Sequence, residues 1–157
     1  TVNLLPVNLK ESILPAIRAQ QSLAVEKKIK IEENINKSIM VLADRDMLQL
    51  VIRNLVNNAV KFTEPGGQIG IDAKIQDGIC LITISDTGKG IPFEMQKDLF
   101  SLAIKSTFGN KNEKGVGLGL SLCKEFTELQ NGTIRFESEP GKGTRFFISF
   151  KLASALS

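Results

Sequence analysis

Asn54, Asn58 and Lys61 follow one another at i, i+4 and i+7, a spacing that sets them in a single stripe if the segment is helical. Leu48, Val51, Leu55, Ala59 and Phe62 repeat with the same period and form an apolar face beside that stripe. The asparagines therefore border a core. Asparagine is a poor helix former because its side chain competes for backbone hydrogen bonds. Two on a half-buried edge need partners. An amide oxygen can ligate a hard divalent cation such as Mg2+, and a lysine one turn on can meet phosphate. Taken alone, the stripe also reads as an ordinary solvated edge.

Three further clusters could carry chemistry. Asp86 shares strand parity with the apolar Ile82 and Ile84, so its carboxylate points inward, where an ionised group is costly unless paired. Gly88 and Gly90 follow at once and let backbone approach a ligand closely. A carboxylate accepting an exocyclic amine proton beside a flat gap suits adenine; a simple Asp-Thr-Gly turn is the plainer alternative. Gly115-Val116-Gly117-Leu118-Gly119-Leu120 precedes a helix, and glycines there free N-terminal amides for phosphate, or serve only as a hinge. The glycines step by two and no Gly-Lys-Ser/Thr follows, which excludes a P-loop and the dinucleotide fingerprint. Gly141-Lys142-Gly143-Thr144 joins two strands and, alone, reads as a hairpin turn.

These residues need elements to hold them. Residues 7–9 read as a short extended entry and 10–26 as a helix, with Ile13, Ile17 and Ala24 facing the core and Pro15 in an early turn. Residues 29–31 and 39–43 read as strands, with a polar turn at 34–38. Asp44 is the expected N-cap of a long helix running to about Phe62, ended by Thr63-Glu64-Pro65-Gly66-Gly67. Residues 68–75, with Ile69, Ile71, Ala73 and Ile75 on one face, pair with 79–86 across Gln76-Asp77-Gly78. A short helix is expected at 93–100, a mobile polar loop at 101–116 and a helix at 117–130 stopped by Asn131-Gly132. Residues 133–138 and 144–152 close the pattern as a hairpin, with Phe146, Ile148 and Phe150 inward. Helices segregated from mostly antiparallel strands imply an α+β, two-layer α/β sandwich with helices on one sheet face. Gln68, Asp72, Lys74, Arg145 and Lys151 would line the other, wetted face. Residues 1–152 are expected to form one domain and 153–157 a tail.

Composition narrows the classes. A length of 157 residues suffices for one domain with a real core. A net charge of +3, with basic and acidic residues intermixed, gives no basic stripe for nucleic acid. There are no histidines, so a serine–histidine triad, a histidine base and a histidine-ligated metal site are all excluded. Cys80 and Cys123 lie in apolar segments and read as buried free thiols in a reducing compartment. No run approaches the ~20 apolar residues of a membrane span.

In this order, the four clusters resemble the boxes of sensor histidine kinases. Asn54-Leu55-Val56-Asn57-Asn58-Ala59-Val60-Lys61-Phe62-Thr63 resembles the asparagine box, and Asp86-Thr87-Gly88-Lys89-Gly90-Ile91 the first glycine box. Gly115 to Leu120 resembles the second glycine box, and Gly141-Lys142-Gly143-Thr144 the third. The resemblance covers residues 7–152 and identifies the chain as an ATP-binding catalytic domain of the gyrase and histidine-kinase ATPase superfamily. It implies that Asn58 coordinates the Mg2+ bridging the ATP phosphates, with Asn54 and Lys61 assisting. It implies that Phe62 lines the pocket and that Asp86 binds the adenine amine. Gly88, Gly90 and Ile91 would shape the pocket and Thr144 would help nearby. Gly115, Val116, Gly117, Leu118, Gly119 and Leu120, with Lys114, would belong to a lid over the phosphates, for which Lys105 and Lys111 are further candidate ligands. Many members carry two phenylalanines three residues apart before the lid; here Phe100 matches the first and Ala103 stands at the second, implying a differently packed lid base.

The implied chemistry is transfer of the ATP γ-phosphoryl group to a histidine on a separate helical-hairpin dimerisation domain, and onward to a response-regulator receiver domain. The start at Thr1, just ahead of the first strand, fits a boundary after such a hairpin. A cytoplasmic domain, with a parent protein open to membrane anchoring, is the implied setting, without direct membrane or nucleic-acid contact. Related hydrolases carry a glutamate base where Asn54 stands, and a neutral amide cannot take a proton from water. A catalytically inert nucleotide-binding module is a further alternative. A serine kinase of the anti-sigma type fits the Asn-Ala-Val-Lys-Phe-Thr run less well.

Overall fold

The structure is a computed structural model that describes residues 1–101 and 111–153, the side chains of 111–118 excepted. Its frame is a five-stranded sheet formed by β2 (Lys30–Asn34), β4 (Gln68–Gln76), β5 (Ile79–Asp86), β7 (Gly143–Lys151) and β6 (Thr133–Glu139), in that spatial order. Only the β2–β4 pair is parallel. Helices α1 (Leu9–Arg18), α2 (Gln21–Glu26), α3 (Arg45–Phe62) and α5 (Lys111–Leu129) make the second layer, and α4 (Phe93–Gln96) is a single turn. This is the expected sandwich.

Alternation decides which sheet face is buried. Ile69 and Ile71 of β4, Ile82 and Ile84 of β5, and Phe146, Ile148 and Phe150 of β7 are buried; Gln68, Lys74, Arg145 and Lys151 on the other face are exposed and Asp72 is half-buried. Ile75 departs from its expected inward face and is 54% exposed, because β4 reaches the hairpin tip there and outruns the helix layer. On α3, Leu48, Val51, Leu55 and Ala59 are buried as the period requires, Phe62 packs partly buried, and Asn54 and Asn58 sit half-buried at the edge.

Four local expectations differ from the structure. The predicted helix 10–26 breaks into α1 and α2 at Ala19–Gln20, where the Gln20 side chain turns inward and accepts a hydrogen bond from Asn57 Nδ2 (2.9 Å). Pro15 lies beyond the first turn of α1, on its exposed side. The polar turn at 34–38 separates two strands as expected, although the two belong to different sheets. β2 joins β4 at the edge of the large sheet, whereas β3 (Met40–Ala43) pairs antiparallel with β1 (Leu5–Asn8). The helix expected from residue 117 starts at Lys111, so 111–116 are helical rather than loop, and the short helix ends at Gln96 instead of residue 100. Residues 102–110, including Ala103 and Lys105, and the tail residues 154–157 lie outside the described residues. Among the described residues no helix is long and apolar enough to cross a membrane.

Asp44 caps α3 as expected: its Oδ1 accepts from Met47 N (3.2 Å), while Oδ2 accepts from Asn3 N (3.0 Å). The Asn3 hydrogen bond, more than the Met47 bond, holds the carboxyl below its ordinary pKa, against a smaller upward push from burial. A lowered carboxyl pKa stabilises the fold above the unfolded value and loses that contribution as pH falls through the folded value. Asp44→Ala is therefore expected to cost about 1 kcal/mol in urea unfolding at pH 7. The difference should shrink below pH ~4. A pH-independent difference would show that the ionised cap is not its source.

Candidate functional site

A cavity of about 410 Å3 opens between α3, the ends of β5 and β7, and the segment that leads from Asp86 to α4. Of the predicted site residues, Asn58, Phe62, Asp86, Gly90, Ile91, Leu120 and Thr144 line it. Leu55, Met95, Leu99 and Phe146 add apolar wall that the motif reading missed. Leu55 and Phe146 were visible as core positions by their period; Met95 and Leu99 gave no such signal. A wider and more polar recess of about 620 Å3 lies on the solvent face of the sheet and shares Asp86 and Thr144. The smaller cavity, with its apolar walls and few converging polar groups, is the better ligand site.

Asp86 sits at the end of β5 opposite Thr144 of β7. Its Oδ1 accepts from Gly88 N (2.8 Å). Burial pushes its pKa up, and backbone hydrogen bonds from Gly88 and Thr144 oppose that push. The group is therefore a desolvated acceptor on the cavity wall. Gly88 and Gly90 turn out to serve backbone-to-backbone contact. A Cβ on Gly88 would collide with the Phe62 carbonyl, and one on Gly90, at φ +76°, with the Glu139 carbonyl. Their absence of side chains draws the end of α3 and the β6–β7 turn up to Asp86. The wall at Ile91 is fastened by Ile91 N donating to Ser138 Oγ (2.7 Å) and Gln96 Nε2 donating to Ile91 O (2.8 Å).

Asn58 Nδ2 is buried without a hydrogen-bond partner. A buried amide left unsatisfied costs free energy that a ligand can return. Which end of the amide faces the cavity is a matter of rotating it, so the same position can present Oδ1 to a cation. Among the described residues no cluster of three or more His, Cys, Asp or Glu could hold a metal. Magnesium keeps several waters and takes most of its ligand charge from substrate phosphates, so one hard amide oxygen beside them is compatible with that ion.

Asn54 does not line the cavity. Its amide lies against α5, with its Cγ 3.9 Å from where a Gly119 Cβ would stand. Beside it the Cys123 thiol, whose Sγ donates to Val51 O at 3.7 Å, is pushed up to about 12 by burial, with Asn54 a smaller opposing influence. Lys61 is exposed and also lies outside the cavity wall. Gly115, Val116, Gly117 and Leu118 fall within α5; their side-chain surroundings and those of Lys111 and Lys114 are outside the described residues. Phe100 packs edge-on against Phe136 and Phe146, with centroids at 5.8 and 6.3 Å. Cys80 and Cys123 are buried and free, as their apolar settings predict.

Comparison with known proteins gives one consistent picture. Residues 43–154 match the family model described as histidine kinase-, DNA gyrase B-, and HSP90-like ATPase. The alginate biosynthesis sensor protein KinB of Pseudomonas aeruginosa is 40% identical over 105 residues, which cover 67% of this chain and 17% of KinB. Among solved structures, the catalytic domain of histidine kinase ThkA superposes with a TM-score of 0.80 at 26% identity, covering 95% of each chain. Full-length ShkA, solved in complex with AMPPNP, superposes with a TM-score of 0.83 at 26% identity, covering 99% of this chain and 33% of ShkA. This chain thus corresponds to a small part of its longer relatives.

Asp86 supplies a signed test. A raised carboxyl pKa means the folded state binds the proton more tightly, so stability falls as pH rises from the unfolded to the folded value and stays reduced above it. Asp86→Asn keeps an oxygen for the Gly88 and Thr144 amides and removes the charge. Its melting temperature without nucleotide is expected to equal or exceed that of the native domain at pH 7. The gap should close at about pH 4 and below. A variant less stable at every pH would refute desolvation as the dominant cost.

Proposed function

Because the chain belongs to the histidine kinase-, DNA gyrase B- and HSP90-like ATPase family and is a histidine kinase ATP-binding domain, we propose that its cavity holds ATP with Mg2+ and that it donates the γ-phosphoryl group to a histidine on a separate helical hairpin. The observation that carries this reading is the pairing of two groups on one cavity. Asp86, desolvated, stands against apolar walls, and Asn58, whose buried amide nitrogen lacks a partner, lines the same space. Asp86 would accept from the adenine amine, with Thr144 beside it. Phe62, Ile91 and Leu120 would enclose the base, with Gly88 and Gly90 setting their approach. Asn58 would hold the magnesium ion, which when bound neutralises phosphate charge. Lys61, with Lys114 and the backbone of 115–119, would meet the phosphates from the rim, and Asn54 would support Asn58 from the α5 side.

Transfer of this kind relies on positioning and charge neutralisation more than on covalent chemistry by the protein. The accepting imidazole nitrogen attacks the γ-phosphorus, the bond to the bridging oxygen breaks, and ADP leaves. The chain supplies no histidine to accept the group and no carboxylate at position 54 to activate water. The amide at position 54 favours a kinase over a hydrolase, and an acceptor histidine would have to come from another segment. The phosphorylated hairpin would in turn serve a response-regulator receiver domain. We assign residues 1–152 to this domain and 153–157 to a tail.

With radiolabelled ATP and Mg2+, the domain alone is expected to remain unlabelled and a histidine-bearing hairpin supplied in trans to become labelled. Asn58→Ala should lower that labelling by about 100-fold or more, the scale of a lost positioning group. ATP bound in calorimetry with no hairpin labelled would instead favour an inert nucleotide-binding module. Equal affinities for ATP and GTP would remove Asp86 from base recognition.

A further inference from the structure

Asn57 belongs to the asparagine box, yet it faces away from the cavity. Its Nδ2 donates to Gln20 Oε1 at 2.9 Å, and Gln20 is 6% exposed. Gln20 is the N-cap residue just before α2. At the other end of α2, Lys27 Nζ donates to Val60 O (2.9 Å) and Lys61 O (2.7 Å), two of the last carbonyls of α3. Such carbonyls have no partner within their own helix. A lysine ammonium there satisfies them and meets the negative end of the helix dipole. Between them these contacts grip α3 at 57, 60 and 61. The segment they grip carries Asn58, Lys61 and Phe62.

The grip is directional. The apolar face of α3 would tolerate small rotations, because dispersion contacts change little over a few degrees. Hydrogen bonds at two points along one side do not. Asn58 is the neighbour of Asn57 and lies one helical step, about 100°, around the axis. Fixing Asn57 to Gln20 therefore fixes the direction in which the Asn58 amide leaves the helix. Lys27 holds the final turn closed, so the chain leaves α3 toward Thr63 in one conformation. Thr63 is itself buried, its Oγ1 donating to Ala59 O at 2.7 Å.

We propose that α2 is a clasp on the back of α3, and that Gln20 and Lys27 are positioning residues for the metal–phosphate end of the site. This rests on the nucleotide reading above. The base end of the cavity, at Asp86 and Thr144, belongs to β5 and β7 and is held by the sheet. Loosening the clasp should therefore separate two affinities that a general loss of structure would lower together.

The test compares Mg-ATP with adenosine, which lacks phosphates, by calorimetry on the native domain, Lys27→Met, Lys27→Arg and Gln20→Met. Lys27→Met and Gln20→Met are expected to weaken Mg-ATP about tenfold, the scale of lost hydrogen bonds at a charged or buried group. Adenosine affinity should fall clearly less than Mg-ATP affinity, because Asp86 and Thr144 lie outside the disturbed contacts and Phe62 is the one wall of the base pocket that shares them. Lys27→Arg should restore Mg-ATP binding, and backbone amide exchange at 60–63 should quicken in Lys27→Met. Unchanged Mg-ATP affinity in both variants would overturn the clasp. Equal weakening of both ligands would overturn it too, leaving α2 a role in stability only. If the native domain bound neither ligand, the nucleotide reading itself would fail, and the assignment of Gln20 and Lys27 would fall with it.

Discussion

The structure depends on how α3 lies on the sheet. Its apolar side chains from Leu48 to Val60 are buried against α1, α5 and the inner face of β5. Burial of this kind contributes ~1.5–3 kcal/mol for each large side chain. Once that face is committed, the amides flanking it have no freedom of placement. Asn58 is turned onto the cavity, Asn54 onto α5 and Asn57 onto the α1–α2 corner. Three asparagines within five residues thus acquire three environments from one helix rotation.

The cavity exists because elements distant in sequence are brought close by residues without side chains. Gly88 abuts the end of α3 and Gly90 abuts the β6–β7 turn, so Asp86 is enclosed by backbone rather than by bulky neighbours. The free energy lost in desolvating that carboxylate is offset in part by the Gly88 and Thr144 amides. The remainder is what a ligand donor can recover. A site that is strained when empty in this way binds a matching donor more tightly than a relaxed one would. The same reasoning covers the unsatisfied Asn58 amide.

The polar hydrogen bonds behind α3 add rotational definition that apolar packing alone lacks. Gln49 Nε2 donates to Ser12 O at 2.8 Å, so α1 as well as α2 grips the helix. At its start, Asp44 joins α3 to the chain entry through Asn3, and its backbone N–H donates to Gln130 Oε1 (2.9 Å) just beyond α5. Both helices that border the cavity therefore meet at one capped corner remote from it.

Period and turn chemistry determined much of this protein before any tertiary contact. The apolar stripe of α3, the inward parity of Asp86, the β4–β5 and β6–β7 hairpins and the Asp44 cap are all local or nearly local, because side-chain direction follows from helix and strand geometry. The tertiary structure decided the rest. Residues 30–34 and 40–43 carry no local sign that one joins a large sheet in parallel and the other a separate pair. Strand partners are chosen by which surfaces remain to be covered. The α1–α2 break depends on Asn57, distant in sequence, and Met95 and Leu99 become cavity wall only because the segment after Asp86 folds back over β6 and β7. The four ordered boxes were legible as types and spacings. The cavity they share required the sheet that brings their ends together.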